Sequence, residues 1–205
     1  MKKIKIAIAA LLLIAMNSFA ETNVGIKAGM NFSNVNEKFD GTKNDENKML
    51  LGYHAGLYAD FDLIGESIQL ETGLTLENKG SKYEEKFLGK KIDVKTSLTY
   101  LTIPVNARLN LDVAGLKVYG LAGPTIGVAI SGKYKSDDES EDIDFGSKDS
   151  EMKRLNIGLL VGAGITLENN FGFRVGYDVG LSNLSNADKY KYKTGTLSLS
   201  LTYDF

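Results

Sequence analysis

The stretch FGFRVGYDVG (Phe171–Gly180) decides the fold. Phe171, Phe173, Val175, Tyr177 and Val179 alternate with Gly172, Arg174, Gly176, Asp178 and Gly180. Strict alternation marks a β-strand whose two faces meet different surroundings. A water-facing strand surface has no need of glycine, which weakens a strand and packs nothing. The interior of an eight-stranded barrel is only just wide enough for side chains, so small residues must be mixed among larger ones there. The glycine-rich polar face therefore points into a barrel and the apolar face points out, into lipid.

The same pattern recurs along the chain. Ile26, Ala28 and Met30 oppose Gly25, Lys27 and Gly29, and Leu51–Leu63 sets apolar odd positions against Gly52, His54, Gly56, Tyr58, Asp60 and Asp62. Leu70, Leu74 and Leu76 face away from Glu71, Gly73 and Glu77, as Leu101–Leu111 does from Asn106 and Arg108. Val118, Ile126 and Val128 oppose Lys117, Gly123 and Gly127; Leu155–Leu167 and Leu197–Phe205 complete the set. Long polar links (Ser33–Lys48, Lys79–Thr96, Gly132–Lys153, Ser182–Lys193) take turns with short ones (Ile64–Glu66, Asp112–Gly115, Asn169–Asn170). Long extracellular loops and short periplasmic turns are the habit of outer-membrane barrels. The reading is an all-β, eight-stranded antiparallel up-and-down transmembrane β-barrel. A soluble lipocalin-like binder, with its apolar face inward, is the alternative that the glycines disfavour.

The first twenty residues read as a secretory signal peptide. Lys2, Lys3 and Lys5 precede an apolar run from Ile6 to Met16, and Ser18 and Ala20 fit a small-residue cleavage site. The run is too short to span a bilayer as a helix, which needs about 20 apolar residues. Cleavage after Ala20 would leave residues 21–205 as one barrel domain, with 21 basic against 26 acidic side chains. That balance offers no basic footprint for nucleic acid. The sequence has no cysteine, so lipoprotein anchors, disulfides and thiolate metal sites are excluded, and no cofactor motif is present.

GIKAGMNFSN (Gly25–Asn34), ETGLTLENKG (Glu71–Gly80), LTYLTIPVNARL (Leu98–Leu109), VYGLAGPTIGV (Val118–Val128) and TYDF (Thr202–Phe205) resemble the PorT-like outer-membrane β-barrels of Gram-negative bacteria. The resemblance implies an OmpX-like or OmpA-barrel-like fold and no assigned activity. It also makes Tyr203 and Phe205 resemble the C-terminal aromatic signal that barrel-assembly machinery reads. Phe61, Phe171, Phe173, Tyr203 and Phe205 stand where a periplasmic aromatic girdle belongs, and Phe32 and Tyr53 where the outer one does.

By parity Glu71, Arg108, Lys117, Arg174 and Asp178 face the lumen, with Lys27, Asp60, Asp62 and Glu77 beside them. Charges so confined must be paired. Glu71 is expected to pair with Arg108, and Arg174 with Asp178, as a plug that makes the barrel rigid; a selective ion passage is the rival reading. His54, the sole histidine, gives slender support to an enzyme acting on lipid. Asp137, Asp138, Glu139, Glu141, Asp142 and Asp144 make the third long loop acidic, while Lys79, Lys82, Lys86, Lys90, Lys91 and Lys95 make the second basic. Solvated loop tips explain both runs. The expected protein is a non-enzymatic barrel displaying four extracellular loops in envelope structure, adhesion or surface interaction, with a narrow channel or transport or secretion accessory as the alternative. Its expected partners are outer-membrane lipid, barrel-assembly machinery and an extracellular ligand met through the loops. Val161→Arg, in a lipid-facing row, should destabilise the barrel by about 2–4 kcal/mol in urea titrations, and a substitution at lumen-facing Asn156 by less.

Overall fold

A computed structural model describes residues 22–40, 42–44, 48–87, 90–136, 139–148, 151–187 and 189–205. The expected signal peptide, Met1–Ala20, lies outside the described residues, as do Asp137 and Asp138 of the acidic loop. So do the side chains of Glu139, Lys86, Lys90 and Lys91.

Ten strands occur among the described residues: β1 (Thr22–Phe39), β2 (Thr42–Asn44), β3 (Lys48–Ile64), β4 (Ile68–Phe87), β5 (Lys90–Val113), β6 (Leu116–Ser136), β7 (Glu139–Asp142), β8 (Leu155–Thr166), β9 (Phe171–Gly180) and β10 (Tyr190–Asp204). Eight of them form the wall in the order β1, β3, β4, β5, β6, β8, β9, β10, and β10 pairs back onto β1, so the ring is closed. Closure leaves the wall without a free edge. Short β2 and β7 fold back onto β1 and β6. At the β5–β6 connection, Ala114 and Gly115 have φ of 51° and 84°, the left-handed pair that a two-residue hairpin needs to match strand twist.

The faces divide as the alternation predicts. Met30, Leu57, Leu109, Val161 and Leu201 are exposed on the outside, while Asn31, His54, Glu71, Arg108 and Arg174 are buried inside. That is the reverse of a lipocalin-like arrangement. Glycine on the inner face makes room for large lumen side chains. A Cβ on Gly25 would sit 2.3 Å from the Tyr58 ring, and one on Gly164 would sit 2.4 Å from the Tyr119 ring.

Two expectations need correction. The stretches read as long loops are largely continued strand. β4 and β5 stay paired as far as Phe87 and Lys90, so Lys79–Thr96 is almost entirely hairpin, and β1 and β10 stay paired as far as Phe39 and Tyr190. The apolar–polar contrast fades there because the outer face no longer meets lipid, although the backbone ladder continues. Phe61, assigned to the periplasmic girdle, is instead buried. A register shift between Asp62 and Ile64 marks a bulge beside it, which bends the end of β3. Phe171, Phe173 and Phe205 are exposed at that rim, and the Phe171 and Tyr203 rings lie 4.9 Å apart.

The extended strand ends enclose a second, apolar core. Val35, Leu98, Tyr100, Ala129, Leu184 and Tyr192 are buried together, with Ile143, Phe145 and Met152 packed against them. Leu184 comes from the β9–β10 connection and the last three from the segment between β7 and β8, so loop residues form a lid over the outer mouth. Leu98→Ala should lower stability by about 2–5 kcal/mol. Leu101→Ala, on the outer face of the same strand, should change it little; the temperature at which the compact, unboiled gel band disappears compares the two.

Candidate functional site

The lumen is built in layers. At the periplasmic mouth lies a polar vestibule of about 360 Å³, walled in part by Asp60, Arg108, Asn110, Lys117, Glu168 and Asp204. Lys117 sits at its rim, with its side chain 46% exposed, and donates to Glu66 at 2.7 Å. That hydrogen bond holds the Glu66 carboxyl below the usual carboxylate range. Lys117 is thus separate from the buried charges it was grouped with, because β6 has only just begun there.

The next layer is a compact ionic cluster. Arg174 donates from Nη1 and Nη2 to the two oxygens of Glu71 at 2.8 and 2.6 Å, a bidentate pair. Its Nε donates to the Tyr119 hydroxyl at 3.0 Å. Arg108 donates to Asp60 at 2.5 Å, stands 3.8 Å from Glu71, and lies with its guanidinium 3.8 Å from the centre of the Tyr119 ring. Tyr58 donates to Asp204 below. Of the expected pairings, Glu71–Arg108 is present as the longer, 3.8 Å contact of Arg108, whereas Arg174 takes Glu71 rather than Asp178. Opposite Glu71 on β5 is Asn106 rather than Arg108, which draws Arg108 toward Asp60 on β3. Asp178 lies four residues along β9 from Arg174, about 13 Å away at normal strand rise, too far for a contact along the strand.

Asp178 is engaged higher up, with a cation from the stretch expected to be the second long loop. Lys79, 2% exposed, lies 3.0 Å from Glu77 and 3.4 Å from Asp178. Thr125 donates to Asp178 at 2.7 Å and Thr102 to Glu77 at 2.5 Å. The signal that could have found Lys79 is parity: it continues the inward row Glu71, Thr75, Glu77 on β4. In the eight-strand ring β4 and β9 stand four places apart, on opposite sides, so Glu71–Arg174 and Lys79–Asp178 are both cross-braces of the barrel.

Between the braces lies a cavity of about 50 Å³ bordered by Lys27, His54, Thr75 and Ser200. His54 Nδ1 is 2.8 Å from Asn31 Oδ1, and Nε2 is 2.8 Å from the Ser200 hydroxyl. Asn31 spends its NH2 on the Tyr53 and Asn78 carbonyls, so its Oδ1 must accept, which places the imidazole proton on Nδ1 and leaves Nε2 to accept from Ser200. The order orienter–base–hydroxyl is that of acyl-transfer enzymes. Here it is enclosed in a space with room for a few waters, not for an ester substrate.

Outward apolar rows around a closed ring of charge-filled strands define a transmembrane barrel of the Gram-negative outer membrane. A family model described as the outer membrane protein beta-barrel domain matches residues 17–186, and the chain belongs to that family. No curated protein sequence matches it. Among solved structures it is similar to Ail, the attachment invasion locus protein of Yersinia pestis, at 20% identity and a TM-score of 0.42, covering 90% of this chain and 99% of that one. It is similar to the outer membrane protein OprG from Pseudomonas aeruginosa at 14% identity and a TM-score of 0.46, covering 91% and 97%. A third is the outer membrane protease OmpT from Escherichia coli, at 11% identity and a TM-score of 0.41, covering 92% and 98%.

Glu71→Leu would leave Arg174 buried without its bidentate partner and should cost about 3–5 kcal/mol in urea titrations of the folded barrel in micelles. The double substitution Glu71→Leu/Arg174→Leu should recover much of that loss, since no lone charge remains. Lys117→Met, at the rim, should cost less than about 1 kcal/mol.

Proposed function

We propose that this protein is a non-enzymatic barrel of the PorT-like kind whose braced interior serves as a rigid mount for its extracellular strand ends, in envelope structure or surface interaction. The observation that carries the reading is the filled lumen: two cross-braces, an ionic cluster and an apolar lid occupy the path an ion or substrate would need. Burial of the His54–Ser200 pair in a cavity of about 50 Å³ argues against lipid turnover there. The resemblance of Gly25–Asn34 and Leu98–Leu109 to PorT-like barrels supports the finer family label. In this reading Met1–Ala20 is removed on export and Tyr203 and Phe205 are read by barrel-assembly machinery. Lipid covers the outer face, and the projecting β4–β5 hairpin meets an extracellular ligand.

Reconstitution into planar bilayers tests the first half. A quiet trace is expected, and discrete, reproducible conductance steps would replace the reading with the ion passage. The display role is tested in cells by shortening the hairpin tip, residues 84–93, to a tight turn. The barrel should keep its heat-dependent gel shift and its place in the outer-membrane fraction while the adherence it confers is lost; unchanged adherence would assign the role elsewhere on the barrel.

A further inference from the structure

The periplasmic vestibule carries charge that the ionic cluster leaves uncompensated. Asp60, Asp112, Glu168 and Asp204 line it against only Arg108 and Lys117, and Lys117 is engaged by Glu66 outside the cavity wall. Asp60 is 2% exposed; Arg108 takes its Oδ2, and its Oδ1 is buried with no hydrogen-bond partner. Asp204 accepts from the Tyr58 hydroxyl on one oxygen and has a long 3.4 Å contact from Thr166 on the other. Among the described residues no cation is paired with it. Tyr58 lies two residues from Asp60 on the same inward face of β3 and donates to Asp204, and Asp60 and Asp204 both line the vestibule.

We propose that this wall binds a hydrated divalent cation of the Mg²⁺ type, entering from the periplasm, with Asp204 and the free oxygen of Asp60 as its carboxylate ligands. Mg²⁺ characteristically keeps several waters and takes one or two carboxylates. A vestibule of about 360 Å³ has room for that water shell, and neutral side chains such as Asn23, Gln69 and Asn170 are there to hydrogen-bond it. The cation would tie β3 to β10 across β1.

The test is equilibrium titration of the folded, full chain in detergent micelles with MgCl₂, followed calorimetrically. Tb³⁺ luminescence excited through nearby tyrosine gives an independent readout. One saturable site is expected, weakened about tenfold or more by Asp204→Asn, a change that still lets Tyr58 donate to the side-chain oxygen. Retention of the heat-dependent gel shift by that variant separates a lost ligand from a lost fold. A second variant, Asp142→Asn/Asp144→Asn in the extracellular acidic segment, should bind as the unmodified protein does. The proposal is overturned if no saturable Mg²⁺ binding occurs in the millimolar range. It is equally overturned if affinity survives Asp204→Asn and falls with the extracellular variant, or if a short alkyl diamine occupies the site and Mg²⁺ does not displace it.

Discussion

Arg174 reaches from β9 across the lumen to take both oxygens of Glu71 on β4, and much of the interior is arranged around that bond. Neither charge has bulk water to fall back on, so each must find its full set of partners inside the ring. Tyr119 takes the Nε–H of Arg174 and presents its ring to Arg108, which in turn settles on Asp60. Gly164 is glycine because the Tyr119 ring occupies the place of its side chain. One ion pair thus fixes an aromatic ring, a second ion pair and a glycine on a third strand.

The layers above follow from a gradient of surroundings. In the plane of the lipid the wall is apolar outside and charged within, whereas beyond it the outer face turns polar and the inner face turns apolar, as Val35, Leu98 and Tyr192 show. The switch suits the physics of each level. Within the lipid, the lumen is the place where polar side chains can be satisfied; above it, a narrow tube closed by Leu184 and Met152 is better filled with hydrocarbon than with trapped charge.

What could be read in the sequence was whatever the lipid writes there. Alternation in Phe171–Gly180 and its counterparts reports two unlike surroundings, and it located the eight wall strands and the inward direction of Glu71, Arg108 and Arg174. It falls silent where lipid ends: residues 80–87 and 90–95 keep their ladder and lose their pattern, so the sequence there predicts a loop and gives Lys79 no place in the lumen it braces. Pairing within the lumen was out of reach for a different reason. Which inward side chains meet depends on register and on strands facing each other across the ring, and Glu71 finds its partner 103 residues away.

That separation in sequence bears on how the molecule comes into being. A brace between β4 and β9 cannot form while the sheet is open, since those strands become opposite neighbours only once β1 and β10 have met. Until then Glu71, Arg174, Lys79 and Asp178 are hydrated, and an incomplete sheet keeps a wet, charged face that resists entry into lipid. Closure exchanges that water for the two braces across the ring. The ring is therefore its own checkpoint: Asp60–Arg108 and Glu77–Lys79 lie within neighbouring strands of the open sheet, whereas Glu71–Arg174 and Lys79–Asp178 wait for the last strand to seal the wall.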